Sequence, residues 1–216
     1  MKWILSLLAI ALLAFGGWLF VQHQEEEKAT SNAVTVLAPL IAYRALYEDG
    51  REREANDVLL MTVAALVEAD NAGANLAEVF RRCEWENNTP TNYSDLLTDS
   101  LMRNLKIARE LKLDTPENLA LMKAGKSPIV GTGPYAGEKA EVDHIVPRAL
   151  APDLDNLLIN LELLPMTLNR KKSNKVTDRV LSFAKQFYEA EVMLPESFEA
   201  VMEKAENVKV LFDVDG

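Results

Sequence analysis

Residues 3–21, from Trp3 to Val21, form an apolar run of nineteen residues with no charged side chain. Such a stretch has neither the alternation of a half-buried strand nor the polarity of a loop, so a helix is the structure open to it. At about 1.5 Å per residue it spans roughly 28 Å, close to the thickness of a bilayer hydrocarbon core. Lys2 precedes it, and Gln-His-Gln-Glu-Glu-Glu-Lys comes directly after. A secretory signal has a shorter apolar region, about 7–15 residues, and a small-x-small cleavage site. Here Trp18-Leu19-Phe20 keep the run bulky to its end, and Ala14-Phe15-Gly16 is a poor cleavage site. Residues 1–24 therefore read as an uncleaved signal anchor, with a cleaved signal peptide as the alternative. The lysine before and the glutamates after the run place the N-terminus inside and the domain outside the cytoplasm. The expected location is the cell envelope, membrane-anchored through residues 3–21, or periplasmic or secreted after cleavage.

Residues 31–125 read as a helical lobe. Apolar residues recur at helical spacing in five stretches: 31–49, capped by Ser31 and ended by Gly50, then 52–69, 73–85 and 95–111, and one opened by Thr115-Pro116 that ends near Gly125. Residues 87–93 read as a polar turn. The pattern changes at residues 126–141, where Gly, Pro and Lys dominate. Beyond this loop the sequence predicts a strand over 141–146 stopped by Pro147, a loop over 148–158, a strand over 161–164, a helix from Met166 to about Tyr188, and a last helix over about 195–207. These elements divide the chain into a helical lobe at 31–125, a second unit at 126–190, and a C-terminal helix and tail at 191–216.

Net charge is −10, which taken whole disfavours a polyanion binder. The distribution is uneven. Residues 22–138 hold twelve Lys/Arg against nineteen Asp/Glu, and residues 186–216 hold two against eight. Residues 139–185 hold eight against six and form the one net-positive stretch. An acidic body with one basic stretch permits a local phosphate site. The single cysteine, Cys83, allows no intrachain disulfide, and the absence of a CxxC pair leaves no structural zinc to expect.

His144, one of two histidines, lies in that stretch directly after Asp143. Histidine is the side chain best suited to proton transfer near neutral pH. Alone, an Asp-His pair on a strand is usually incidental. Here it stands in an ordered set: Val142-Asp143-His144-Ile145-Val146-Pro147, then Asn160-Leu161-Glu162-Leu163-Leu164-Pro165, then Leu168-Asn169-Arg170-Lys171-Lys172-Ser173-Asn174. The intervals are sixteen residues from His144 to Asn160, nine to Asn169 and three to Lys172.

This order and spacing resembles the HNH endonuclease family, and in particular the HNH domain of RNA-guided DNA-cleaving effectors. The likeness spans about residues 120–188. Gly133-Pro134-Tyr135-Ala136-Gly137-Glu138-Lys139 and Asp155-Asn156 look like a subgroup of bacterial HNH proteins. The resemblance implies a mainly α fold carrying a small ββα-metal (His-Me finger) unit beside the N-terminal transmembrane or signal helix. It implies a metal-dependent phosphodiester hydrolase acting on nucleic acid, DNA sooner than RNA. His144 would be the general base. Asn160 would tie the loop and help orient His144. Asp143 and Asn169 would hold a divalent ion, Mg²⁺ first and Mn²⁺ second, since an oxygen-rich site suits a hard cation. Lys172, with Arg170 and Lys171, would contact phosphate near a helix start, and Arg148 from the loop is a weaker candidate. Asn169 stands where many members have a final His, and the zinc-binding cysteines of many members are missing, so the helical lobe must support the small motif. Successive strand side chains alternate, so Asp143 and His144 can serve one site only if the strand bends or bulges there. The competing reading is a membrane-tethered interaction module with a degenerate nuclease fold; a non-nuclease metal hydrolase lacks a second His or Cys cluster.

Overall fold

The computed structural model describes residues 2–42 and 55–213, with side chains over 15–42 and 55–206. The chain is mainly helical with one two-stranded sheet. In order the elements are α1 (Lys2–Ile41), α2 (Ala55–Asn71), α3 (Leu76–Asn87), α4 (Thr91–Glu110), α5 (Pro116–Lys123), β1 (Ala140–His144), β2 (Leu161–Pro165), α6 (Met166–Lys172), α7 (Asp178–Glu189) and α8 (Pro195–Asp213).

The first helix differs from expectation. Ser31 caps nothing: α1 runs unbroken for 40 residues, because residues 22–30 contain neither Gly nor Pro to stop it. Ser31 instead lies within the helix and its hydroxyl donates to Glu27. The expected helix end at Gly50 and the start at residue 52 lie outside the described residues. Phe15, Trp18, Leu19, Phe20 and Val21 are all exposed, so this part of the apolar run projects from the body. Among the described residues no helix is long and apolar enough to cross a membrane. The span expected over 3–21 therefore gains no support there, and side chains 3–14 lie outside the described residues.

From Thr30 onward α1 joins the core. Thr30 is buried and its hydroxyl accepts from the Asn75 amide. Asn75 in turn caps α3, its side chain accepting from Glu78 N. Arg82 of α3 pairs with Glu27 of α1 and Glu78 of its own helix, and Asn87 donates to the Ala38 carbonyl in the last turn of α1. The centre of the lobe is α2. Eleven of its seventeen residues are buried, because α1, α4, α5 and β1 all pack on it. Leu37, Leu59, Val63, Leu66, Val79, Leu101 and Met122 are fully buried, each large aliphatic one contributing about 1.5–3 kcal/mol of transfer free energy. The apolar core continues without a break into Val146, Leu154, Ile159, Leu161 and Leu163. The helical lobe and the hairpin are thus one packed body, which supplies the support expected for a motif without zinc.

Several boundaries differ from the sequence pattern: β1 ends at His144, two residues short of the expected strand, the helix expected over 73–85 spans Leu76–Asn87, and two differences are larger. α4 starts at Thr91 after Pro90, four residues earlier than expected, with Pro90 fixing the turn into it. The single helix expected from Met166 to Tyr188 is two. α6 ends at Lys172, Ser173 adopts φ +47°, and Thr177 starts α7 by accepting from Val180 N. The polar run Ser173-Asn174 and the capping Thr177 interrupt the apolar periodicity that suggested one helix.

β1 and β2 pair antiparallel, with Asp143 opposite Glu162 and His144 opposite Leu161. The outer edge of β2 is closed by a side chain. Asn104 of α4, fully buried, donates to the Leu161 carbonyl at 3.0 Å and accepts from Leu163 N at 3.0 Å. Pro165 has no N–H to leave open. Ser100 on the same helix donates to the Leu158 carbonyl at 2.9 Å.

Candidate active site

The site lies at the end of β1. No bulge interrupts the strand through His144; the bend comes directly after it, at Ile145-Val146. Asn160 makes that bend. It is fully buried, its Oδ1 accepts from Val146 N at 2.8 Å, and its Nδ2 donates to Val146 O at 3.0 Å and Leu154 O at 3.4 Å. Its own carbonyl accepts from Ile145 N. One amide thus ties together both ends of the loop that carries residues 145–159, with no group left over for substrate in this arrangement.

His144 is largely buried and faces that loop. Its Nε2 stands 3.0 Å from the Asp155 carbonyl oxygen and 2.9 Å from Asp155 Oδ1. Both neighbours accept hydrogen bonds and neither can donate when the carboxyl is ionised. Nε2 therefore carries a hydrogen, and in the neutral imidazole this is the tautomer that keeps the lone pair on Nδ1. Arg148, exposed, approaches Asp155 Oδ2 at 3.8 Å. It belongs to this cluster as a partner of Asp155.

Asp143 is on the other face of the strand, toward α6, so the bend or bulge expected to bring it to the side of His144 is not found at these two residues. Asp143 Oδ2 is buried and forms no hydrogen bond among the described residues. Lys172 Nζ nevertheless lies 2.7 Å from it as an ion partner, off the angle that a hydrogen bond needs. The same ammonium donates to the His144 carbonyl at 2.5 Å. Asn169, one turn earlier on α6, donates its amide nitrogen to Glu141 Oε2 at 3.0 Å. An ionised Glu141 only accepts, which turns the Asn169 carbonyl oxygen away from it. That oxygen is the atom a hard cation takes. Among the described residues, no three His, Cys, Asp or Glu side chains converge as a metal-holding group.

The basic residues are not at a helix start. Because α6 has seven residues, Arg170, Lys171 and Lys172 form its last turn, where cations oppose the negative end of the helix dipole. Its first turn is occupied by Glu138, whose carboxylate accepts from Thr167 N at 2.9 Å and Thr167 Oγ1 at 2.7 Å. These two bonds hold the Glu138 carboxyl below its usual range, helped by the charges of Arg170 and Lys171. Arg170 and Lys171 themselves are exposed.

Behind Asp143 is a group that sequence reasoning missed. Glu162, opposite Asp143, is buried and paired twice with Arg179 of α7. Arg103 of α4 approaches it at 3.8 Å. Both guanidinium groups lie over the Phe183 ring, at 4.9 and 5.2 Å. The Glu162 hydrogen bonds, and more weakly the charge of Asp143, hold the Arg179 guanidinium above its ordinary value. Burial pulls Arg103 down, against the charge of Glu162. Asp155 was missed as the partner of His144, although Asp155-Asn156 stood out in the sequence. Comparison with family models, with curated proteins and with solved structures found no match.

Proposed function

We propose that this chain is a metal-dependent endonuclease of the HNH type, hydrolysing nucleic-acid phosphodiester bonds, with DNA favoured. The observation that carries the reading is the orientation of His144. With Nε2 directed at the backbone carbonyl and one carboxylate oxygen of Asp155, Nδ1 of the neutral imidazole would be the nitrogen left to act as the base. It takes a proton from water, the water oxygen attacks phosphorus, and the bond to the leaving oxygen breaks, that oxygen then taking a proton from solvent. A divalent ion held by Asp143 and the Asn169 side-chain oxygen, Mg²⁺ or Mn²⁺, would neutralise charge on the phosphate and on the leaving oxygen, and the reading requires the end of β1 to turn so that Asp143 and His144 reach the same phosphate. The buried Asp143 Oδ2 without a hydrogen bond fits such an ion. Asn160 acts by shape, holding the bend that ends β1. Lys172, Arg170 and Lys171 supply positive charge on the phosphate side, and the exposed Phe15, Trp18, Leu19, Phe20 and Val21 of α1 would be the point of any attachment to a membrane.

A second reading draws on the Lys172–Asp143 pair. A carboxylate neutralised by an internal ammonium suits a tethered interaction module with a degenerate nuclease fold. The deciding assay is cleavage by the full chain in mild detergent. Double-stranded DNA, single-stranded DNA and RNA are each incubated with Mg²⁺, Mn²⁺ or EDTA. His144→Ala is expected to lower the metal-dependent rate by about 10²–10⁴-fold. Unchanged cleavage in that variant removes the catalytic assignment, and no cleavage of any substrate by the wild type favours the module.

A further inference from the structure

Lys172 is the last residue of α6, and its position is fixed by the turn after it. Ser173 N returns to the Asn169 carbonyl at 3.1 Å, and Lys175 N to the Lys172 carbonyl at 3.2 Å. The side chain is 15% exposed and its partner Asp143 is 13% exposed. An ammonium this enclosed needs compensating oxygens, and it has two: Asp143 Oδ2 at 2.7 Å and the His144 carbonyl at 2.5 Å. A carboxylate and a backbone carbonyl are also the donors that hard divalent cations take. The place beside Asp143 is therefore already held by a cation, one belonging to the chain.

We propose that Lys172 is the internal counter-cation of the Asp143 site, which a divalent ion must displace before it binds. A second cation sharing Oδ2 would stand within about 5 Å of the ammonium and repel it. Metal entry thus frees Lys172, whose flexible four-carbon stem can then carry the charge to an incoming phosphate. Release also keeps the buried carboxylate neutralised in both states, by the ammonium without metal and by the ion with it. The inference rests on the reading of Asp143 as the metal carboxylate.

The test is Mn²⁺ binding to the full chain in detergent, read by electron paramagnetic resonance of the free ion, with no substrate present. K172M is expected to bind about tenfold more tightly than wild type, the effect of removing one partly buried charge pair. K172R keeps the charge and is expected to bind no more tightly than wild type. D143N, alone and combined with K172M, is expected to lose the site. K172Q is the second neutral variant, and circular dichroism melts establish that each protein is folded. Equal or weaker binding in folded K172M and K172Q overturns the proposal, as does absence of Mn²⁺ binding in every variant. Cleavage is measured separately. Metal-dependent cleavage with no gain in K172M removes the displacement and leaves the nuclease. Tighter binding in K172M that D143N abolishes, without cleavage by wild type, keeps the displacement and removes the nuclease.

Discussion

Replacing Asn104 by alanine removes the side chain that closes the outer edge of β2. Its Nδ2 donates to the Ser100 and Leu161 carbonyls, and its Oδ1 accepts from Leu163 N, in a site with no solvent exposure. Ser100 O belongs to the α4 ladder and keeps its helical donor. The Leu161 carbonyl and the Leu163 amide lose their partner on that side. Each buried group left without a partner costs about 1–3 kcal/mol, so Asn104→Ala is expected to destabilise the fold by about 3 kcal/mol. For a domain of this size that corresponds to a fall in Tm of roughly 6–12 °C. Asn104→Asp, nearly isosteric, is expected to be at least as damaging, because it deletes both donated bonds and puts a carboxyl group where water does not reach. The assays are urea unfolding of the full chain in detergent and hydrogen exchange at the Leu163 amide. A loss below about 1 kcal/mol together with unchanged protection of Leu163 would refute the view that this amide serves as the missing neighbour strand.

Arg179→Ala leaves the fully buried Glu162 carboxylate facing only Arg103 at 3.8 Å among the described residues, and is expected to cost about 3–5 kcal/mol in urea unfolding, above the cost of Glu162→Ala, which leaves two partly exposed guanidinium groups. Glu138 has a lowered folded-state pKa, so its contribution is present above its unfolded value and lost as pH falls through its folded value. The stability difference between wild type and E138Q should therefore hold steady from neutral pH into the mildly acidic range, then close as Glu138 takes up a proton; a gap that widens on acidification contradicts the sign. Cys83 is fully buried, and burial pushes its thiol up to about 12. Thiol reagents at pH 8 should leave the folded chain unlabelled and modify one thiol after unfolding, and rapid native labelling would contradict this burial.

The helical lobe was legible because its information is periodic. Val58, Leu59, Thr62, Ala65 and Leu66 fall on one face at helical spacing, and all are buried in α2. The hairpin was legible from its short apolar segments between turn residues. Much of what was misread or passed over falls where a polar residue decides the structure. Ser31 has the chemistry of a cap and sits inside a helix. Asn104 falls on the apolar face of α4 among Leu97, Leu101 and Leu105, where its type is unexpected until a strand edge is placed against it. Asn118 does the same for the insert, exchanging two bonds with the Ile129 backbone at 2.7 and 2.8 Å, and Asn160, whose loop-tying the resemblance did imply, does it for Val146. In each case the asparagine amide replaces a peptide unit of a missing strand. A pattern of apolar residues carries no trace of such a bond, because its partner is backbone, which has no identity in the sequence.

The same limit explains the charge count. Residues 139–185 read as a basic stretch suited to phosphate, yet three of its cations face carboxylates of the chain itself. Lys172 faces Asp143, Arg179 faces Glu162, and Arg148 faces Asp155. Asp143 and Glu162 are directly opposite on adjacent strands, a pairing of like charges that destabilises a hairpin unless each charge is answered. Lys172 answers one, and Arg179 with Arg103 answers the other. Much of the local excess of lysine and arginine is therefore set by two carboxylates held at one register position. Of those two, Glu162 is buried and committed to guanidinium partners on two helices. Asp143 is held by a single flexible lysine. That asymmetry, one carboxylate locked and its neighbour releasable, is what a site needs if one acid is to fix the hairpin while the other is to bind an ion that comes and goes.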